Sequence, residues 1–385
     1  MQEWNVIQQD KIRLHGRRNR ECKRFSMDWT GSGISFSFRG THAEVLMDAD
    51  NTGKEQWVLF ELDGIPSSRI RLRDGAHWYT ILDSRGPLAD SELIDRCTRT
   101  IHIYKESQAH YGETSAFCYC DRVRIDGDLC SLPEKRRIEF IGDSLTSGEG
   151  AISPKYQSIG SDVSIDEWST HYYSWAGYAA RMLDIDAQVI SQGGFGVFCG
   201  WNNDMLANIP RLYDRVCGII QPPFANARGA SQPYEFSFNP NLIIINLGTN
   251  DASAFFQPPW QHPISGQYFK QHRVDEENNP DSQLFLEKDA DKVTSAIVDF
   301  VTLLAEKNPG KPILWIYGMM GHGLWPIILQ ATACIHEMGI TGFDALLLPE
   351  ASPSELGANS HPLAVSHEIC AKAVVERVRQ KGWLD

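Results

Sequence analysis

The chain has no long apolar run. No stretch approaches the roughly 20 apolar residues needed to span a bilayer. The N-terminus, Met1-Gln2-Glu3-Trp4-Asn5-Val6, has no apolar core of the kind a secretory leader requires. Basic residues are in deficit, with 36 Lys and Arg against 49 Asp and Glu and a formal net charge of −13. Nothing in that balance would offset phosphate repulsion, which argues against a general nucleic-acid binder and favours neutral substrates over polyanionic ones. The nine cysteines are odd in number and scattered. Cys118-Tyr119-Cys120 on a strand would point both thiols to one face, yet nothing nearby completes a zinc pattern. No His/Cys/Asp/Glu cluster has metal-ligand spacing and no Walker-type phosphate loop appears. Gly193-Gly194-Phe195-Gly196 lacks the full dinucleotide spacing, so no cofactor is expected. Free cysteines without a leader point to a reducing cytoplasm. There is no internal repeat and no low-complexity tract.

What is present divides in two. At 385 residues with 42% apolar content, the chain supports full cores and suits two domains. From about residue 22 to 130 it reads as β: Ile34–Phe38 alternates cleanly, and Ala43–Met47, Gln56–Leu62, His77–Leu82, Arg99–Tyr104 and Ser115–Ile125 are strand-like. Asp63-Gly64 and Asp74-Gly75 mark turns. Short strands with no helical period indicate a sandwich or jelly roll over residues 1–132, either a structural cap or a sugar-contacting module. Trp29, Trp57 and Trp78 are read as core before platforms. The polar segment Ser131 to Arg137, with Pro133, suits a junction.

Residues 133–385 read as α/β. Apolar strands at Ile138–Ile141, Ala187–Ser191, Leu242–Leu247 and Ile313–Tyr317 alternate with helical periods at Trp168–Leu183, Asn203–Val216, Leu286–Lys307, Trp325–Met338 and Ser366–Lys381. Pro210 should bend or interrupt the second of these helices. A loop fills the span from the first strand to about Asp166, and residues 252–283 read as a long polar loop. This alternation implies a mostly parallel sheet covered on both faces.

Four strand or element ends carry chemistry. Ile138-Glu139-Phe140-Ile141 runs into Gly142-Asp143-Ser144-Leu145, a turn that would hold one hydroxyl at the edge of a sheet. A lone Gly-Asp-Ser is ordinarily a turn or a helix cap; its company changes that reading. Ser144 as nucleophile needs a base. His361 supplies a near-neutral imidazole, and Pro362 keeps it out of helical geometry in a loop before the last helix. His367, six residues on, is the reserve candidate. Gly194, without a Cβ, and Asn250, in Gly248-Thr249-Asn250-Asp251, would join the Ser144 N–H in an oxyanion hole.

These four blocks, in this order, resemble those of the SGNH (GDSL) hydrolases, esterases on a flavodoxin-like three-layer α/β/α sheet. The β-rich first third, with Phe36-Ser37-Phe38-Arg39-Gly40-Thr41 and Leu62-Asp63-Gly64, is similar to the N-terminal jelly roll of carbohydrate esterase family two. That family removes acetyl groups from polysaccharides such as xylan and mannan. One position departs from the superfamily pattern: the aspartate three residues before the histidine is Ala358, and Asn359-Ser360 replace the Asp-Trp common in family two. The resemblance implies a Ser–His dyad, with Asn359 or a backbone carbonyl near Ala358 orienting the imidazole; Glu149, Asp251 and Glu355 are the alternative carboxylates. It also implies an acetylated oligosaccharide as partner, with aromatic platforms at Trp201, Trp260 and Trp325. A lipase or thioesterase would want a long apolar lid, and residues 252–283 are too polar for one. A non-catalytic carbohydrate-binding protein would need none of Ser144, Gly194, Asn250 and His361.

Overall fold

A computed structural model of the chain describes residues 1–84, 97–109, 115–154 and 164–385. The expected loop after the first α/β strand therefore falls partly outside the described residues. The N-terminal part is two antiparallel sheets face to face. One holds β1 (Gln2–Asn5), β3 (Phe25–Ser26), β5 (His42–Asp50), β8 (Gly75–Asp83) and β10 (Phe117–Ile125), in the order β1-β10-β5-β8 with β3 also on β10. The other holds β2 (Ile12–His15), β4 (Gly33–Arg39), β6 (Trp57–Leu62), β7 (Ile65–Arg71), β9 (Thr98–Lys105) and β11 (Asp128–Cys130), in the order β11-β4-β9-β6-β7 with β2 on β4. Alternate residues supply the core: Ile34, Phe36, Phe38, Ile101 and Ile103 from one sheet meet Val45, Met47, Cys118, Cys120 and Val123 from the other.

The second part is a parallel sheet of β12 (Arg137–Gly142), β13 (Asp186–Ser191), β14 (Leu242–Asn246), β17 (Ile313–Tyr317) and β18 (Phe343–Leu347), in the order β13-β12-β14-β17-β18. Both faces are buried, which explains its near-continuous apolar strands. Ile138, Phe140, Ile244, Leu314 and Ile316 pack against the helices Trp175–Met182 and Ala364–Lys381. Ile141, Ile243, Ile245 and Trp315 face the helices Glu287–Lys307 and Trp325–Glu337 on the opposite side. The first strand of this sheet, β12, sits between the second and third, so the chain reverses direction across the sheet between β12 and β14. Ligands of open α/β sheets collect at the carboxyl ends of strands at such a reversal. Ser144 follows one of these two strands and Asn250 the other.

Several elements differ from the sequence reading. The helix expected over Trp168–Leu183 is two pieces, Ile165–Trp168 and Trp175–Met182; Ser174 caps the second by accepting from Gly177 N–H. No α-helix forms over Asn203–Val216, only a single 3-10 turn at Pro210–Leu212. Asn203 sits at φ 68°, and the Asn208 side chain accepts from Arg211 N–H, so local polar groups hold turns where periodicity suggested a helix. β18 went unread from sequence. The polar stretch 252–283 begins inside a helix, Thr249–Ala254, and contains a small hairpin, β15 (Trp260–Gln261) with β16 (Tyr268–Phe269).

The first part reaches into the second. Trp29 is fully buried in the core beneath the parallel sheet, its indole N–H donating to Val216 O at 2.7 Å. Trp57 and Trp78 are half-buried under Arg69 and Arg124, 4.4 and 4.1 Å from their ring centroids. Arg17, 1% exposed, lies 3.1 Å from Glu139 on β12 and over the rings of Tyr213 and Tyr234.

Candidate active site

The turn after β12 is made tight by its glycine. A Cβ on Gly142 would lie 2.0 Å from Thr146 Oγ1 and 2.8 Å from Asn246 O, so no larger residue fits. Asp143 caps the short helix Ser144–Ser147, its Oδ1 accepting from Leu145 N–H at 3.0 Å. Ser144 is thereby held at the first helical position beside the mouth of the sheet. Its Oγ lies 2.8 Å from His361 Nε2.

His361 comes from the loop Gly357–Ser360, where Asn359 and Ser360 take φ 54° and 59°. That left-handed pair turns the Asn359 carbonyl back onto the ring, 3.2 Å from Nδ1. Nδ1–H donates to this carbonyl, which leaves Nε2 unprotonated to accept from the Ser144 hydroxyl. The orienting group is thus the Asn359 backbone and not its side chain. The three candidate carboxylates bind elsewhere. Glu149 accepts from Gln108, Asp251 from the backbone of residues 197–199, and Glu355 from Ser366 and Ser352. The histidine loop is itself anchored: Ser153 Oγ accepts from Ala358 N–H at 2.6 Å, and a Cβ on Gly150 would stand 3.2 Å from His361 Cβ. His367 is fully buried in the last helix; its Nδ1 accepts from Trp175 N–H, and burial pushes its pKa down to about 3. It takes no part at the serine.

Gly194 and Asn250 converge on the same place. Asn250 Nδ2 donates to Phe195 O at 2.8 Å and more weakly toward Asp143 Oδ2 at 3.3 Å. Burial pushes the Asp143 carboxyl up to about 8, and the nearby Asp251 charge adds to the rise. A neutral carboxyl is a poorer acceptor than a carboxylate, so the second amide hydrogen of Asn250 is loosely held. Gly194 has φ 81°, a conformation suited to glycine. Of the adjacent glycines, Gly193 N–H already donates to Gln108 Oε1 at 2.5 Å. Among the described residues, neither Gly194 N–H nor Ser144 N–H has an acceptor. Asp251 holds the next turn, receiving N–H bonds from Val197, Phe198 and Cys199 at 2.8–3.1 Å.

The three tryptophans separate. Trp201 is 49% exposed, and its indole would meet a Cβ on Gly194 at 3.3 Å, so it flanks the glycine turn. Trp260 packs at a tilt against Phe269 in the small hairpin, which Asn203 ties to the Trp201 turn by donating to Pro258 O and accepting from Gln271 N–H. Trp325 opens its helix and packs, partly buried, against the core beneath the sheet. Sequence reasoning missed Gln108, which the first domain contributes, and Ser153. Neither lies in a motif, and only tertiary contact reveals them.

Residues 138–295 match the family model of the GDSL-like lipases/acylhydrolases. An acetyl xylan esterase from the rumen bacterium Butyrivibrio proteoclasticus superposes over all of this chain and 99% of its own, with TM-score 0.91 and 31% identity. A family two carbohydrate esterase from Clostridium thermocellum, solved with cellohexaose, shares the fold at TM-score 0.73 and 21% identity, over 97% of this chain and all of that one. A cellulase/esterase of Acetivibrio thermocellus is 24% identical over 379 residues, 92% of this chain; the chain spans only 38% of that protein's length. The chain belongs to the GDSL/SGNH hydrolases, whose model it matches over residues 138–295, and it shares its two-part fold with the acetyl xylan esterase and with the family two carbohydrate esterase.

Proposed function

We propose that this protein is a carbohydrate O-acetylesterase that removes acetyl groups from xylan- or mannan-derived saccharides through an acetyl-serine intermediate. The observation that carries the reading is the 2.8 Å approach of Ser144 Oγ to His361 Nε2, beside two backbone N–H groups without acceptors among the described residues. His361 takes the Ser144 proton as Oγ attacks the acetyl carbonyl carbon. The carbonyl oxygen becomes an oxyanion, received by the N–H groups of Ser144 and Gly194 and the amide of Asn250. The ester C–O bond then breaks, and His361 returns the proton to the departing sugar oxygen. Water, deprotonated by the same imidazole, attacks acetyl-Ser144; the Oγ–acetyl bond breaks, His361 returns the proton to Ser144 Oγ, and acetate leaves. The Asn359 carbonyl sets the tautomer throughout, and Trp201 offers an apolar face to a sugar ring beside the reacting ester.

The test is acetate release from acetylated xylan and mannan oligosaccharides, followed by mass spectrometry for the wild type and Ser144→Ala. Release by the wild type alone supports the reading and ranks the two backbones. Cleavage of short acyl esters with no release from either saccharide would discard the carbohydrate assignment, and silence on every ester would discard the esterase.

A further inference from the structure

Among the described residues, a side chain of the first domain, Gln108, reaches the turns that carry Ser144 and Gly194. Gln108 follows β9 and is 3% exposed. Its backbone is fixed from within the sandwich: Lys105 Nζ donates to Gln108 O at 3.1 Å, and also to Asp28 O and Ser107 O. The carboxamide crosses to the second domain and is used at both ends. Oε1 accepts from Gly193 N–H at 2.5 Å, and Nε2 donates to Glu149 Oε2 at 2.9 Å. Glu149 stands at the end of the serine turn, its N–H donating to Ser144 O at 2.9 Å. Gly193 immediately precedes Gly194. The backbone presses so close here that a Cβ on Gly193 would lie 2.6 Å from Glu149 Oε2.

We propose that Gln108 is a positioning residue: by bridging Gly193 to Glu149 it sets the spacing between the Gly194 N–H and the serine turn, so that the sandwich completes the oxyanion hole. This rests on the esterase reading above. The bridge requires one acceptor and one donor on a single planar group, which a carboxamide supplies. A carboxylate at position 108 would keep the acceptor but face the Glu149 carboxylate, and an apolar side chain would supply neither. An oxyanion donor removed outright costs on the order of a hundredfold in kcat, and misplacement by about 1 Å costs a comparable factor.

The experiment measures kcat and KM on a short chromogenic acetate, with thermal unfolding in parallel, for the full chain. The variants are Ser144→Ala, Gln108→Met, Gln108→Glu, Glu149→Gln and the double variant Gln108→Glu/Glu149→Gln. Gln108→Met and Gln108→Glu are expected to lose at least about tenfold in kcat with KM within about twofold. The double variant exchanges the two groups. The carboxamide then at position 149 donates to the carboxylate at position 108, whose other oxygen accepts from Gly193 N–H, and kcat returns to within about threefold of wild type. A residue of merely structural importance would lower the melting temperature without splitting kcat from KM. Wild-type kcat in Gln108→Met, or a double variant no better than Gln108→Glu, would overturn the proposal while an inactive Ser144→Ala left the esterase reading standing. Full activity in Ser144→Ala would overturn both.

Discussion

His367 offers a quantitative test of how the interior treats the histidine that is not at the serine. Its imidazole is fully buried, and its Nδ1 accepts from Trp175 N–H at 3.2 Å. Burial lowers its pKa from 6.5 to about 3, with the His361 charge adding to the fall. The unfolded chain therefore binds a proton below pH 6.5, which the folded chain refuses until about pH 3. The associated stability is whole above pH 6.5 and is lost as pH falls through the window between those values. At about 1.36 kcal/mol per unit, the loss from this one group at pH 5 is about 2 kcal/mol. Other buried groups titrate in the same range; burial drives His15 and His171 to about 3 as well, and Asp143 up to about 8, which acts in the opposite direction. A variant comparison cancels them. His367→Asn keeps an acceptor for Trp175 N–H and removes the titration. It should be less stable than wild type at pH 7.5, by on the order of 1–2 kcal/mol for the lost ring. That gap should shrink or reverse by about 2 kcal/mol at pH 5. Urea unfolding of both proteins at the two pH values, following the catalytic domain's transition, measures it. A gap that changes by less than about 0.5 kcal/mol would show that the folded protein protonates His367 as readily as the unfolded chain does.

Two further variants probe the site. Asn250→Ala should lower kcat on a short acetate by on the order of a hundredfold with little change in KM, read by steady-state kinetics; unchanged kcat would remove Asn250 from the oxyanion hole. Trp201→Ala should raise KM for an acetylated oligosaccharide about fivefold, from roughly 1 kcal/mol of ring contact, and leave the short acetate untouched. An equal effect on both substrates would make Trp201 a brace for Gly194 instead of a platform.

The parts of the site legible in sequence are those built by local geometry. A strand that ends in Gly-Asp-Ser shows both its buried run and its turn, and Gly248-Thr249-Asn250-Asp251 does the same after β14. Pro362 kept His361 out of a helix for a reason that holds in any fold. Periodicity alone served less well. Across residues 203–216, Asn203 donates to Ala254 O and Pro258 O and spends its side chain on the hairpin, a demand no helical wheel records. Ala358 posed the sharper difficulty. The missing aspartate showed that the imidazole needed another partner, but only the left-handed turn at Asn359 and Ser360 identifies the carbonyl that serves.

What stayed hidden is the way the two halves share groups, and one residue signalled it. Glu139 sits in β12 among Ile138, Phe140 and Ile141, at a position 2% exposed where a charge would be costly alone. It is satisfied by Gln188 and Tyr213 at 2.7 and 2.5 Å and by Arg17 from the first domain. A buried ion pair of this kind gives little net stability, yet removing either partner strands the other charge at a cost of about 3–5 kcal/mol. Arg17, Trp29 and Gln108 thus meet the second domain in different ways: a charge under the strand that leads to Ser144, a ring in the core beneath the sheet, and a carboxamide at the Gly193-Gly194 turn. The first two, together with Arg13 on Asp186 and Lys54 on Asp166, help hold the halves together. The third bonds both the Gly193 backbone and the Glu149 side chain at the mouth of the site, which a cap serving stability alone would not require.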